Sequence, residues 1–171
     1  MEVNVKENLK VVEKRIMEAC HRSGRSRDEV TLIAVSKTKP VEMIRECMDA
    51  GITVFGENKA QELRDKQAVI SEPLNWNFIG HLQRNKVKYV VGNVDLIHSV
   101  DSYKLAEAIN EEAEKKNVTA DILIEVNVAG EESKFGVVKE EAEELVRRAA
   151  QLSNIRIKGL MTIAPYVDDP E

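Results

Sequence analysis

Apolar residues in this chain recur with two periods that take turns. Val5, Leu9, Val12, Ile16 and Ala19 step by threes and fours, which predicts a helix over about 4–22, with Asn4 and Glu7 at capping-box spacing and Gly24 placed to end it. The next apolar stretch has another character. Val30 to Ser36 (VTLIAVS) is short and rich in β-branched residues, the pattern of a strand buried on both faces. Pro40 then opens a helix that Gly51 closes.

The alternation continues along the chain. Ile52 to Phe55, Trp76 to Ile79, Leu96 to Val100, Ile122 to Val128 and Ile155 to Ile163 read as further strands. Helices are expected between them over about 58–70, 83–90, 102–116 and 139–152, with Asp101 placed to cap the third of these. Strict strand and helix alternation implies a parallel sheet, because parallel neighbours need a crossover and a helix supplies it while covering the sheet. Two α/β architectures compete: an open doubly wound sheet and a (β/α)8 barrel of TIM type. No G-x-G-x-x-G follows the first strand, which removes support from the dinucleotide-binding open sheet. The barrel reading finds about six β/α units in the 171 residues, so its last two strands are missing from this stretch. The expectation is one incomplete barrel domain over 1–171, with open edges on its first and last strands.

Composition narrows the function classes. Thirty acidic against 25 basic residues give a net charge of −5, which argues against a general nucleic-acid binder. Cys20 and Cys47 both fall in helical patterns, so neither a disulfide framework nor a zinc site is suggested, and a reducing compartment fits. No signal peptide or membrane-length apolar run stands out, which makes the cytoplasm the expected location. His21, His81 and His98 are scattered without metal-ligand spacing, and no nucleophile elbow or Ser/His/Asp order is present.

In a barrel, polar residues at the carboxyl ends of strands carry the chemistry. Lys37 ends the row Thr31, Ile33, Val35, Lys37 on one face of the first strand. Either it reaches out to solvent, or burial at the strand end and repulsion from Lys39 depress its pKa below the free value of roughly 10.4 and free a neutral amine for covalent chemistry. Asn58 follows the second strand and either caps the next helix or points its amide at a ligand. His81, after Gly80 at the end of the third strand, is a hydrogen-bonded structural residue or part of the site. Lys134, in the glycine-flanked loop after the fifth strand, meets solvent or an anion, and Met161 on the sixth strand is core packing or site lining.

These stretches, in this order, resemble the pyridoxal phosphate homeostasis protein family. The likeness rests on Ala34 to Pro40 (AVSKTKP), Phe55 to Asn58 (FGEN) with Gln61 and Glu62, and Trp76 to Lys88 (WNFIGHLQRNKVK). It continues through Ser99 to Asp101, Val126 to Val128, Ser133 to Gly136 (SKFG) and Gly159 to Met161. The resemblance implies a barrel like the N-terminal domain of alanine racemase, with pyridoxal 5'-phosphate (PLP) carried as a Schiff base on Lys37. It also implies Asn58, His81 and Met161 near the cofactor, an auxiliary place for Lys134, and a role in holding PLP and delivering it to PLP-dependent apoenzymes without turnover. An amino-acid racemase or decarboxylase is the alternative on the same barrel, and would need an acid and a base on opposite faces of the cofactor. Members of the family continue past the point matching Glu171 into the region where barrels of this type hold phosphate, so weaker PLP binding is expected of these residues alone.

Overall fold

The computed structural model describes residues 4–131 and 134–164. Helix α1 (Val5–Ser23) begins where expected: the Asn4 side chain accepts from the Glu7 amide at 3.0 Å, and Gly24 closes the helix with φ of 67°. Its inward stripe runs Val5, Leu9, Ile16 and Cys20, while Val12 and Ala19 are exposed.

Among the described residues seven strands follow: β1 (Ala34–Val35), β2 (Val54–Glu57), β3 (Asn75–Phe78), β4 (Leu96–Val100), β5 (Ala120–Asn127), β6 (Val137–Val138) and β7 (Ile155–Met161). Every pairing among them is parallel, in the order β1-β2-β3-β4-β5, with β6 and β7 both pairing β5. The crossovers are carried by α2 (Val41–Asp49), α3 (Ala60–Gln67), α4 (Val87–Val90), α5 (Tyr103–Lys116) and α6 (Ala142–Ala149). This is the α/β arrangement of a partial barrel. Among the described residues β1 pairs only β2 and β7 pairs only β5, so both stand as edges.

The structure corrects the sequence reading at several points. β6 is an additional two-residue strand that no apolar run announced, since only two ladder pairs to Val126 and Asn127 define it. β1 is shorter than Val30 to Ser36 and is not buried on both faces. Ala34 and Val35 alone join the ladder, and Val35 is 49% exposed, because an edge strand with no neighbour on one side leaves half its surface uncovered. β2 lies two residues later than expected, which brings Gly56 and Glu57 into the sheet. Asp101 does not cap α5. The N-cap is Ser102, and Asp101 turns toward His81 instead.

The core lies between the outer sheet face and the helices. Phe55, Phe78, Ile97, Ile122 and Ile124 project from successive strands against Ile44, Leu63, Leu105 and Ile109 of α2, α3 and α5, all essentially sealed from water. Phe55 and Trp76 pack ring against ring at 5.8 Å, joining β2 to β3. Phe55 is fully buried and sits one residue before Gly56, so its loss would loosen the sheet at the base of the candidate site. Replacing Phe55 with Ala is expected to cost about 3–5 kcal/mol of stability by urea unfolding. A loss under about 1 kcal/mol would show that this layer is not close-packed as described.

Candidate functional site

Parallel strands deliver all their carboxyl ends to one side, so residues far apart in sequence meet there. Lys37 lies two residues beyond β1, in a turn closed by the Lys39 amide donating to the Ser36 carbonyl at 3.0 Å. Of the two placements its sequence position leaves open, solvent or a buried strand end, the structure shows the first. Lys37, Thr38 and Lys39 are all exposed, because the turn projects past the last ladder pair of an edge strand. Thr38 has φ of 62°, in the left-handed region that a β-branched residue enters only under constraint.

Asn58 follows β2 on the neighbouring strand. It does not cap α3, whose N-cap is Lys59 without a side-chain hydrogen bond. Its Oδ1 is instead sealed from water and finds no hydrogen-bond partner among the described residues. Gly80 is required beside it: a Cβ at that position would lie 2.3 Å from the Asn58 carbonyl oxygen, so only glycine lets the β3 exit pass over the β2 exit. Asn58 and His81 line one cleft of about 280 Å³, together with Lys59, Gln61, Gln83 and Lys86.

His81 makes two further contacts. Its ring stacks on Phe135 with centroids 4.0 Å apart and planes 13° from parallel, and its Nδ1 lies 3.5 Å from Asp101 Oδ2. Lys134, the residue before Phe135, is held by Glu131 at 2.7 Å and lines a smaller cavity of about 180 Å³ with Glu125, Asn127 and Phe135. Ser133, part of the same expected motif, lies outside the described residues. Met161 pairs in register with Glu125 and lines a different feature, an apolar groove bounded by Val126, Val128, Ala142, Val146 and Leu160. The structure thus brings Asn58, His81 and the Lys134 loop to one rim, places Lys37 at the end of the adjoining strand, and sets Met161 at the far edge.

Sequence reasoning missed several polar residues here. Glu125 is 8% exposed, and its Oε2 and Asn127 Oδ1 find no hydrogen-bond partner among the described residues. Burial, reinforced by the Asp101 charge, pushes the Glu125 carboxyl above its ordinary value. His98 Nε2 donates to Asn77 Oδ1 at 2.8 Å, and burial pushes that imidazole below its ordinary value. The signal for Glu125 lies in DILIEVN, where a carboxylate stands between Ile124 and Val126 inside an apolar strand run and so must meet the core or a site.

Parallel β/α units joined in chain order from β1 to β5 define a partial barrel of the alanine racemase class, and the family described as alanine racemase, N-terminal domain, matches residues 5–171. An alanine racemase from Clostridium difficile 630 shares the fold at a TM-score of 0.75 and 17% identity, over 95% of this chain and 41% of that one. A pyridoxal phosphate homeostasis protein of Aquifex aeolicus is 47% identical over 170 residues, covering 99% of this chain and 75% of that protein. PipY of Synechococcus elongatus, solved with PLP bound, is 35% identical with a TM-score of 0.78, over 95% of this chain and 71% of that one. This chain belongs to the pyridoxal phosphate homeostasis protein family.

The raised Glu125 carboxyl yields a pH test. A carboxyl that ionises at higher pH folded than unfolded costs the folded state least below the ordinary value of 4.5, and its cost grows as pH rises from there through the folded pKa. Glu125→Gln is therefore expected to stabilise the chain at pH 7.5 relative to wild type, with the difference shrinking toward pH 4, in denaturant titrations at both values. Destabilisation by the same amount at both pH values would contradict it.

Proposed function

We propose that this chain binds PLP covalently through Lys37 and acts in PLP homeostasis, holding the cofactor and passing it on. The observation that carries this reading is the exposed Lys37 in the turn after β1, with the buried Asn58 amide oxygen, unpartnered among the described residues, at the exit of the adjoining strand β2. A buried polar atom without a partner marks a place where a ligand has something to satisfy. Asn58, Glu125 and Asn127 supply three such oxygens on one rim, and His81 with Phe135 supplies flat apolar surface, so the residues fit a planar, polar ligand. Family membership and the PLP-bound state of PipY support the same choice of ligand.

When bound, PLP supplies an aldehyde carbon that condenses with a neutral amine and releases water. This chain's residues determine how accessible that chemistry is. Lys37 stands in solvent, where water and competing amines can reach it, which suits a protein that must release what it holds. Asn58 orients a ligand edge through its amide, and His81 is kept in place by Phe135 and Asp101. Lys134 serves an auxiliary role from the loop, and Met161 stands apart from them in the apolar groove beside β7. In this reading the 171 residues act as one binding unit in the cytoplasm, with PLP-dependent apoenzymes as recipients. No helix among the described residues is long and apolar enough to cross a membrane.

Incubation with PLP, borohydride reduction and peptide mass spectrometry test the reading. The modification is expected at Lys37, and Lys37→Ala is expected to abolish it with unfolding behaviour unchanged. Labelling spread over other lysines, or retained in Lys37→Ala, would overturn it. Single-enantiomer amino acids added to the PLP-loaded chain are expected to persist; steady racemisation or decarboxylation would move the assignment to an enzyme.

A further inference from the structure

Lys66 is the buried charge that the site described above does not use. It is 7% exposed on α3, at the spacing of the apolar residues Leu63 and Ile70 that face the core. An ammonium group has three hydrogens to donate, and here all three have acceptors at 2.7 Å: the Ser36 carbonyl, Glu57 Oε1 and Glu62 Oε1. Glu57 Oε1 also accepts from the Ser36 hydroxyl at 2.6 Å, and Glu62 Oε1 accepts from the Thr38 amide at 2.6 Å. The cluster therefore grips Ser36 and Thr38, the residues on either side of Lys37.

The turn has little else to hold it. β1 contributes two ladder pairs, followed by the Ser36 amide donating to the Gly56 carbonyl at 3.0 Å, and the chain then leaves the sheet with Lys37, Thr38 and Lys39 exposed. Thr38 nevertheless keeps a left-handed backbone, which a β-branched residue holds only where neighbours over-determine it. Glu62 is the neighbour that meets this demand. Burial raises its carboxyl, but hydrogen bonds from Lys66 and the Thr38 amide, with the charges of Lys66 and Lys59, outweigh that and hold it below the ordinary range, so it stays an anionic acceptor.

We infer that Lys66, Glu57 and Glu62 form a positioning device for Lys37, fixing the backbone on both sides of it and so setting where its amine stands. The inference rests on the reading of Lys37 as the PLP attachment point. The three residues are positioning residues and do not touch the ligand. The arrangement gives an edge strand of two residues the rigidity that its short ladder does not supply.

Glu62→Ala is the direct test, since it removes the acceptor for Thr38 and leaves the buried Lys66–Glu57 pair intact. Three readouts are compared with wild type: hydrogen exchange at the Thr38 amide without cofactor, the pH profile of Lys37 reductive methylation, and PLP affinity. Exchange is expected to rise and affinity to fall, each by about tenfold, the scale of one charge-assisted hydrogen bond. The methylation profile is expected to shift. Glu62→Gln keeps an acceptor without the charge and is expected to recover exchange protection and PLP affinity in part, to within about threefold of wild type. Should Glu62→Ala fail to fold, the double variant Glu57→Met with Lys66→Met serves instead, because replacing a buried pair by apolar residues leaves folding intact while releasing Ser36. Unchanged exchange, unchanged PLP affinity, or a Glu62→Gln variant as impaired as Glu62→Ala overturns the inference. A wild-type chain that resists trapping at Lys37 sinks the cofactor reading alone, since exchange and methylation are measured without PLP.

Discussion

Every strand pairing among the described residues is parallel, and that one constraint determines which polar side chains meet. Parallel neighbours cannot be joined by a tight turn, so β1 to β4 are each followed by a helical crossover and β5 by a loop to β6, and the carboxyl ends open onto the same rim. Lys37, Asn58, His81, Asp101 and Asn127 come from five segments with no local reason to meet. They share a rim because β1 to β5 run in order and in one direction. The same geometry demands close passage between successive strand exits, which is why Gly80 lies against the Asn58 backbone.

The rim is rigid in unequal measure. β3, β4 and β5 are backed by Phe78, Ile97, Ile122 and Ile124, sealed against helices, and the side chains they present are held by packing. β1 stands at an edge with Ala34 against the core and Val35 half exposed, and the turn after it is held to α3 by polar contacts. Lys66 substitutes a charge-dense cluster for the hydrophobic contact an inner strand would enjoy. Such a cluster adds little to net stability, since the desolvation of its charges offsets most of their attraction. It supplies direction instead, because an ammonium group with three fixed acceptors has one orientation.

Much of the fold was legible because a buried strand and an amphipathic helix leave different periods in sequence. Asn4 and Gly24 gave the limits of α1, and the apolar run of β4 was read to the residue. Failures fall where tertiary context decides. VTLIAVS has the composition of a central strand, yet only Ala34 and Val35 pair, because burial on both faces depends on a neighbour that the sequence of one strand does not announce. Asp101 and Asn58 have good capping chemistry, and both are drawn away from helix ends toward the rim. Lys37 is singled out by family likeness, and it takes the exposed one of its two possible placements for the same reason that β1 is short. Lys66 was readable in principle: a lysine at the spacing of Leu63 and Ile70 on a helix face must find partners, and Glu62 one turn earlier was the first of them.

The account comes down to whether the β1 turn presents an amine to a cofactor seated among the strand exits. A crystal structure of the chain grown with PLP tests this most directly. Continuous density from Lys37 Nζ into the cofactor, with a polar edge of the ligand against Asn58 Oδ1, is the predicted result. A cofactor ordered elsewhere on the surface, or joined to a different lysine while Lys37 stays free, would contradict the account.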